Sequence, residues 1–421
     1  MLIHVVDKGE VLWQIAELYD VDINDIIQTN ELTNPNLLLE GQALLIPIRS
    51  ILYTVKYGDT LWNIAQRFKV SLIDLMTLNK VVNPNFIYPG VELIIPQKPR
   101  PAIEVNAYTF VFGENDIPIL RTGIDYLTYL TPFTYIVGKD GRLMTINDEP
   151  AIQFALSNNV IPVMCISNFT FYNSGEDTAH TVLNDRAIIN LLIDNIIYTM
   201  KEKGYRGLNV YFEDILPEDK EAYNNFMHMT ASMLHAEGLF LSASLTPQLD
   251  DNGDLIHIHD YESLGRILDY VILMLNPWDK MDGSPKAVSS IVEIRKILDY
   301  TVPAIPKEKI LLGYQIIAKD WAIPFVDGQQ AETINMQTAM NRAYRNRANI
   351  QYDEISQSPF FNYRDGQGII HEVWFEDVRS AQAKYDVIKE FGLRGISYWT
   401  LGYPFSQSGH LLKGNFIIIK D

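Results

Sequence analysis

The chain has 421 residues, of which 47% are hydrophobic and 20% charged, and it carries a net charge of −18 with a pI near 4.9. This composition is typical of an ordered protein with more than one folded unit. The acidic balance argues against nucleic acid or an anionic membrane as a partner, because both bind clustered Lys and Arg. The single cysteine, Cys165, excludes an intramolecular disulfide and is predicted to be buried. No apolar stretch is long enough for a membrane-spanning helix, and no conventional signal peptide precedes His4.

The N-terminal part of the chain contains one pattern twice, at 4–47 and again at 53–96. Each copy predicts a short strand, two helices and a closing strand. In the first helix of the first copy, Leu12, Ile15 and Ala16 recur at helical spacing and share one face. The repeat therefore predicts two small βααβ modules. Module 1 and module 2 are predicted at 2–48 and 52–97.

In both copies the residues Gly-(Glu/Asp)-x-Leu-Trp-x-Ile-Ala are followed by Asn-Pro-Asn and finally by Leu-x-Ile-Pro. This pattern resembles the LysM module over its whole length. The resemblance implies binding of peptidoglycan, chitin or another N-acetylglucosamine-containing glycan, in a groove between the loop after the first strand and the loop after the second helix. The tryptophans Trp13 and Trp62 are expected to belong to the module cores. The candidate glycan-binding residues are Gly9, Glu10, Leu12, Asn34 and Asn36 in module 1 and Gly58, Asp59, Thr60, Asn83 and Asn85 in module 2.

After a short Pro-containing linker, the segment 101–421 alternates β-rich apolar runs with amphipathic stretches. Clear helices are predicted at 187–203, 220–237 and 381–391. Eight strands are predicted, at 105–110, 128–135, 160–166, 207–212, 240–245, 270–275, 310–314 and 395–399. Such alternation favours an α/β fold, a parallel (β/α)8 TIM barrel, in which the chemistry belongs at the C-terminal ends of the strands.

The fourth predicted strand leads into a carboxyl group. Asn209, Tyr211 and Glu213 alternate along it, so their side chains are expected to face the barrel interior. Among aromatic neighbours the pKa of Glu213 would be raised, which suits a general acid. Pairing of Glu213 with an arginine at the rim is the alternative.

The segment from Arg206 to Glu213 resembles the motif Asp-Gly-x-Asp-x-Asp-x-Glu of glycoside hydrolase family 18. The resemblance extends across 101–421, and it is to those family members that carry two LysM modules and act on spore cortex peptidoglycan. It implies a retaining, substrate-assisted reaction with Glu213 as acid and then base, while the N-acetyl oxygen of the substrate attacks the anomeric carbon. It also implies a bacterial protein associated with the spore coat or cortex.

The match has departures at the acetamido site. Asn209 and Tyr211 replace the second and third Asp of the motif, and Asn276 stands where the sixth strand of the family has Tyr. Losing the third Asp is expected to cost roughly 10²–10³-fold in rate, by analogy with the removal of one oxyanion-hole donor. Two hypotheses follow: an N-acetylglucosaminidase with an altered acetamido site, or a non-catalytic glycan-binding or coat-structural protein on a disabled barrel. The candidate catalytic residues are Glu213, Tyr211, Asn209 and Asn276.

Four further residues are candidates for contact with the sugar. Trp399 ends the eighth strand and is expected to stack beneath the substrate, with barrel core as the alternative. Gln248, Tyr314 and Trp374 are weaker candidates. The segment His257-Ile258-His259 has metal-like spacing without further ligands, so neither a metal nor a cofactor is predicted. The expected partner is a glycan, and the oligomeric state is left open.

Overall fold

The computed structural model describes residues 1–48, 52–96, 99–110, 113–170, 174–249, 255–256, 258–274, 283–326, 328–401 and 406–420. Within these ranges, no helix combines the length and the apolar character needed to cross a membrane. The two N-terminal modules have the predicted strand–helix–helix–strand order. Their elements are β1 (Leu2–Val5), α1 (Leu12–Tyr19), α2 (Ile23–Thr29), β2 (Ala43–Ile46), β3 (Leu52–Thr54), α3 (Leu61–Phe68), α4 (Leu72–Leu78) and β4 (Glu92–Ile94).

Each module closes a small core between its antiparallel strand pair and its two helices. The helix α3 begins at Leu61, because the Thr60 hydroxyl accepts a hydrogen bond of 3.1 Å from the Asn63 amide. The expectation that the tryptophans are core residues is wrong. Trp13 is 58% exposed and Trp62 is 60% exposed, since each lies one position past the buried leucine that opens its helix.

The large domain is a closed barrel of eight parallel strands, as predicted, and all three predicted helices are present. Each barrel strand pairs with two neighbours, so the sheet has no free edge. The barrel strands are β5 (Ala102–Phe110), β6 (Tyr129–Phe133), β9 (Ile161–Ser167), β10 (Gly207–Tyr211), β11 (Phe240–Leu245), β14 (Tyr270–Leu273), β15 (Ile310–Gln315) and β21 (Gly395–Trp399). Around and between them lie β7 (Tyr135–Val137), β8 (Leu143–Met144), β12 (Gln248–Leu249), β13 (Leu255–Ile256), β22 (Ile417–Ile418), α5 (Ile117–Gly123), α6 (Glu149–Ser157), α7 (Glu176–Leu183), α8 (Arg186–Lys203), α9 (Lys220–Ala236), α10 (Tyr261–Ile267), α11 (Ile291–Thr301), α13 (Val378–Phe391) and α14 (Ser406–Asn415).

An insert between β15 and α13 was not anticipated from the sequence. It is a five-stranded antiparallel sheet with one helix packed on it, and it has its own core around Phe361 and Val373. The polar and aromatic residues that alternate in this segment fit a sheet with one packed face. Its elements are β16 (Ala318–Ile323), β17 (Glu332–Ile334), α12 (Met336–Asn346), β18 (Gln351–Asp353), β19 (Ser358–Arg364) and β20 (Ile370–Trp374).

Module 1 is packed directly against the large domain. Leu39 belongs to the core of the insert, and the Ile350 amide donates to the Glu40 carbonyl at 2.9 Å. The Gln42 amide also donates to the Tyr344 hydroxyl at 2.7 Å. Because apolar contacts and backbone hydrogen bonds both cross this boundary, module 1 and the insert form one packed unit.

The repeat supplies a matched test of that packing. Gly41 has φ of +80°, and a Cβ there would overlap the backbone carbonyl of Ile350; the equivalent Gly90 has φ of +90° and open space around it. Each change to Ala costs about 1 kcal/mol of backbone strain. Only Gly41→Ala also pushes the Ile350 backbone, and with it the insert, away from module 1. We expect the thermal unfolding midpoint of Gly41→Ala to fall clearly further than that of Gly90→Ala. Equal falls would contradict the packing of module 1 on the insert.

Candidate active site

Five aromatic rings cluster inside the barrel at the C-terminal ends of its strands. The Trp399 ring lies 4.8 Å from Phe133 and 5.1 Å from Tyr108, measured between ring centroids. Phe169 and Tyr211 extend the cluster at 5.3 Å from each other. All five rings are buried, because alternate residues of parallel barrel strands project into the same interior layer. They form an apolar floor of the kind on which sugar rings stack.

Glu213 stands above this floor, two residues beyond the end of β10, and is partly exposed. It has left the hydrogen-bonded part of the strand, so another group must fix its backbone. The Asn168 side chain does so: its oxygen accepts from the Glu213 amide at 2.9 Å, and its nitrogen donates to the Glu213 carbonyl at 2.7 Å. The following residue, Asp214, has φ of +53° and turns the chain away from the barrel. The carboxyl group is therefore held at the barrel mouth.

Tyr211 lies beneath Glu213 and is fully buried. Burial, followed by the negative charge of Glu213 and the neighbouring Tyr108, raises the pKa of Tyr211 well above its ordinary value. The phenol therefore stays neutral and keeps its proton at any working pH. Its hydroxyl faces the side chains of Thr246 and Glu213, which both act on its pKa, but it makes no hydrogen bond of regular geometry in the described ranges. A buried hydroxyl in this position is placed to bond to a ligand.

Asn209 lies one layer deeper in the barrel. Its side-chain oxygen accepts hydrogen bonds from Tyr108 at 2.9 Å and from Ser244 at 3.1 Å, and its nitrogen donates to Ser242 at 3.1 Å. The residue is completely buried. These bonds use both ends of the amide, so Asn209 fixes the Tyr108 ring of the floor from below.

Gln248 shares a small depression beside Glu213 with Thr246 and His259. Thr246 and His259 are not among the predicted site residues, although Thr246 continues the inward alternation of β11. The Thr246 hydroxyl and the His259 Nδ1 are both buried, and the Thr246 hydroxyl faces that of Tyr211. Burial, and then the charge of Lys220, lowers the pKa of His259 to about 4. The imidazole is therefore neutral at pH 7.

The other two predicted sugar contacts lie on different parts of the barrel domain. Tyr314 points outward from β15, and its hydroxyl donates to Glu376 at 3.0 Å in the layer between barrel and helices. Strand alternation places Gln315 on the interior and Tyr314 on the outer face, so the prediction that Tyr314 contacts the sugar is wrong. Trp374 belongs to the insert, where it stacks on Phe360 at 4.7 Å. Asn276 and His257 lie outside the described residues.

In the modules, the two predicted carboxylates stabilise the first loop. Glu10 accepts from the Asp7 amide at 2.7 Å and lies 3.0 Å from His4 Nε2. Its counterpart Asp59 accepts from the Tyr53 hydroxyl at 2.6 Å, the Lys56 amide at 2.8 Å and Arg67 at 3.1 Å. Burial opposes ionisation of Asp59, but these hydrogen bonds outweigh it and lower its pKa.

The remaining module candidates divide between core and surface. Leu12 is 3% exposed and packs in the core of module 1, so the prediction that it binds glycan is wrong. Gly9 and Gly58 have φ of +81° and +88°, which gives both first loops the same turn. The asparagines of the second loops are exposed, and each pair forms one local turn through its own side chain. These pairs are Asn34 with Asn36 and Asn83 with Asn85.

Across the described part of the chain, no group of three His, Cys, Asp or Glu side chains is close enough to hold a metal ion. A closed (β/α)8 barrel with one carboxyl group above an aromatic floor fits a glycoside hydrolase. The chain matches the model of glycosyl hydrolases family 18 over residues 173–403 and that of the LysM domain over residues 4–47 and 53–96. It belongs to glycosyl hydrolase family 18 and carries two LysM modules.

Relatives of similar length share this organisation. The chain is 43% identical to the cortical fragment-lytic enzyme of Bacillus subtilis (strain 168), covering 100% of this chain and 99% of that protein. It superposes on the crystal structure of the spore cortex-lytic enzyme SleL of Bacillus megaterium QM B1551 with a TM-score of 0.86 at 36% identity, covering 100% and 99% of the two chains. A chitinase from Chromobacterium violaceum ATCC 12472 shares the fold, with a TM-score of 0.67 at 24% identity over 74% of this chain and 98% of the chitinase.

The two hydrogen bonds from the Asn168 side chain to the Glu213 backbone lead to a kinetic prediction. Asn168→Ala removes both hydrogen bonds to the Glu213 backbone, so we expect kcat on a chitooligosaccharide to fall about 10-fold or more with KM nearly unchanged. Asn158→Ala is the control, since Asn158 bonds Phe154 at the end of α6, at the opposite end of the barrel. A rise in KM with unchanged kcat would show that Asn168 acts on substrate binding and does not position Glu213.

Proposed function

We propose that this protein hydrolyses N-acetylglucosaminyl bonds of spore-cortex peptidoglycan, with Glu213 as general acid and base. The observation that carries the proposal is the carboxyl group of Glu213, fixed by Asn168 above the floor that contains Tyr211 and Trp399. The cortex as substrate, and association with the spore, are supported by full-length relatives whose names refer to the cortex.

The proposed reaction has two steps. Glu213 donates its proton to the glycosidic oxygen as the bond between that oxygen and carbon 1 breaks, and the substrate's acetamido oxygen forms a bond to carbon 1. Glu213, now a carboxylate, then takes a proton from a water that attacks carbon 1 and opens the cyclic intermediate. Two displacements at one carbon retain its configuration. No carboxylate nucleophile is needed, in contrast to enzymes that use two carboxyl groups.

In this proposal Tyr211 and Trp399 hold the sugar for that reaction. The neutral Tyr211 phenol forms a hydrogen bond with the acetamido group, and the Trp399 ring stacks under the pyranose. Asn276 is proposed as the second acetamido contact, by its place in the motif. Tyr211 carries no charge, so it orients the acetamido group without the electrostatic stabilisation that a carboxylate would give to a cationic intermediate.

One prediction of this mechanism concerns the general acid, Glu213. Glu213→Gln keeps the shape of the side chain and removes its titratable proton, so we expect kcat on purified cortex sacculi to fall about 10²–10⁴-fold while sacculus binding persists. Product masses from the wild-type digest identify the bond that is cleaved. If wild type and Glu213→Gln release equally little product while both bind sacculi, the barrel is a non-catalytic glycan-binding domain.

Another prediction of this mechanism concerns the hydroxyl group of Tyr211. Tyr211→Phe keeps the ring in the floor and removes only the hydroxyl, so we expect kcat to fall about 10-fold. The alkaline limb of the pH profile should not move, because the raised pKa keeps Tyr211 protonated throughout that range. Tyr223→Phe on α9 is the control, since it also removes a buried hydroxyl with no protein partner in the described ranges. Equal activity of wild type and Tyr211→Phe would remove Tyr211 from the acetamido site.

A further inference from the structure

The two LysM modules have the same fold but different surfaces. In addition to Trp62 on α3, module 2 exposes three aromatic side chains in its loops, with Tyr57 97% exposed, Phe86 64% and Tyr88 63%. We refer to these three residues as the aromatic rim. The equivalent positions of module 1 hold Lys8, Leu37 and Leu39, so module 1 has no such rim.

The aromatic rim draws on both loops that border a LysM groove. The Val55 amide donates to the Val91 carbonyl, and the Gly90 amide donates to the Val55 carbonyl, each at 2.8 Å. Tyr57 lies two residues beyond Val55 on the first loop, and Tyr88 lies two residues before Gly90 on the second. The two tyrosines therefore leave the same end of one strand pair. Aromatic rings here can stack on successive sugars without requiring any charge on the glycan.

The first loop of module 2 is held in place from both sides. Inside the module, Asp59 binds the Lys56 amide and the Tyr53 hydroxyl. On the outside, the Lys56 ammonium donates to the Glu17 carbonyl of module 1 at 2.7 Å. Tyr57 follows directly, so its loop is ordered before any glycan arrives. Binding to a preorganised loop loses less conformational entropy than binding to a flexible one.

In module 1 the corresponding surface is used for packing. Leu39, the counterpart of Tyr88, is 4% exposed and lies in the core of the insert. The neighbouring Glu40 carbonyl and Gln42 amide bond to the insert as well. This end of the second loop is therefore not available to a glycan strand.

We propose that the modules divide their roles: module 2 holds the N-acetylglucosamine-containing glycan through its aromatic rim, and module 1 fixes module 2 to the barrel. The ligand class rests on the proposed function, whereas the division between modules rests on the exposure and the contacts above. Glycan affinity is thus concentrated in module 2 and does not arise equally from two similar sites.

The test measures binding of the full chain in the Glu213→Gln background to purified sacculi and to N-acetylglucosamine pentamer. Tyr57→Ala with Tyr88→Ala should raise the dissociation constant for both ligands at least about 10-fold. The matched module 1 pair, Lys8→Ala with Leu37→Ala, should change it less than about 2-fold. The barrel cleft is the same in every variant, so differences in affinity report on the modules.

Three results would overturn the division of roles. The first is an equal loss of affinity in the two double variants, and the second is a larger loss in the module 1 variant. The third is a loss of affinity for sacculi without a loss for the pentamer, because that result points to a peptide or protein as the ligand of the aromatic rim. The double variant Tyr57→Phe with Tyr88→Phe keeps both rings and should bind the two ligands with the same affinity as the parent protein. A loss of affinity in this variant would mean that the substitutions damage the loop, and the stacking argument would fail. Hydrolysis by the wild type decides the proposed function independently of these affinities.

Discussion

Closure of the eight parallel strands places the rest of the active site. In a closed sheet, every second residue of each strand must point inward, so Tyr108, Tyr211 and Trp399 meet from three different strands in one layer. Glu213 keeps the same phase but lies beyond the last strand hydrogen bond, where the barrel no longer fixes the backbone. Asn168, at the end of the neighbouring strand, supplies the missing constraint through two hydrogen bonds. The catalytic geometry therefore depends on both the strand register and a single buried amide.

The phenol of Tyr211 changes the electrostatics of that site. A carboxylate in its place would put a second negative charge beside Glu213 in a buried layer, and it would stabilise positive charge that develops on the sugar. The neutral phenol gives up that stabilisation. In the proposed reaction, orientation by hydrogen bonding and stacking therefore has the larger share in the catalysis.

The sequence predicted those parts in which local pattern and tertiary position agree. The eight strands and the place of Glu213 follow from period-two alternation, which the barrel preserves. Tyr314 was misplaced because an apolar strand buried on both faces does not show which parity faces inward. The prediction that Trp13 is a core residue failed because the buried face of its helix consists of Leu12, Ile15, Ala16 and Tyr19. Asn168 could not be found, because an isolated asparagine after a strand has no pattern.

The packing of module 1 on the insert bears on how the enzyme meets an insoluble polymer. A binding domain on a flexible linker raises the local concentration of substrate but samples many orientations. Here Leu39 and Glu40 join module 1 to the insert, and Lys56 joins module 2 to module 1. Arg100, after the second module, also donates to the Lys413 carbonyl at 2.9 Å. Because these contacts fix the modules to the barrel, a glycan bound by the aromatic rim, as proposed, would meet the barrel in fewer orientations than one bound by a domain on a flexible linker.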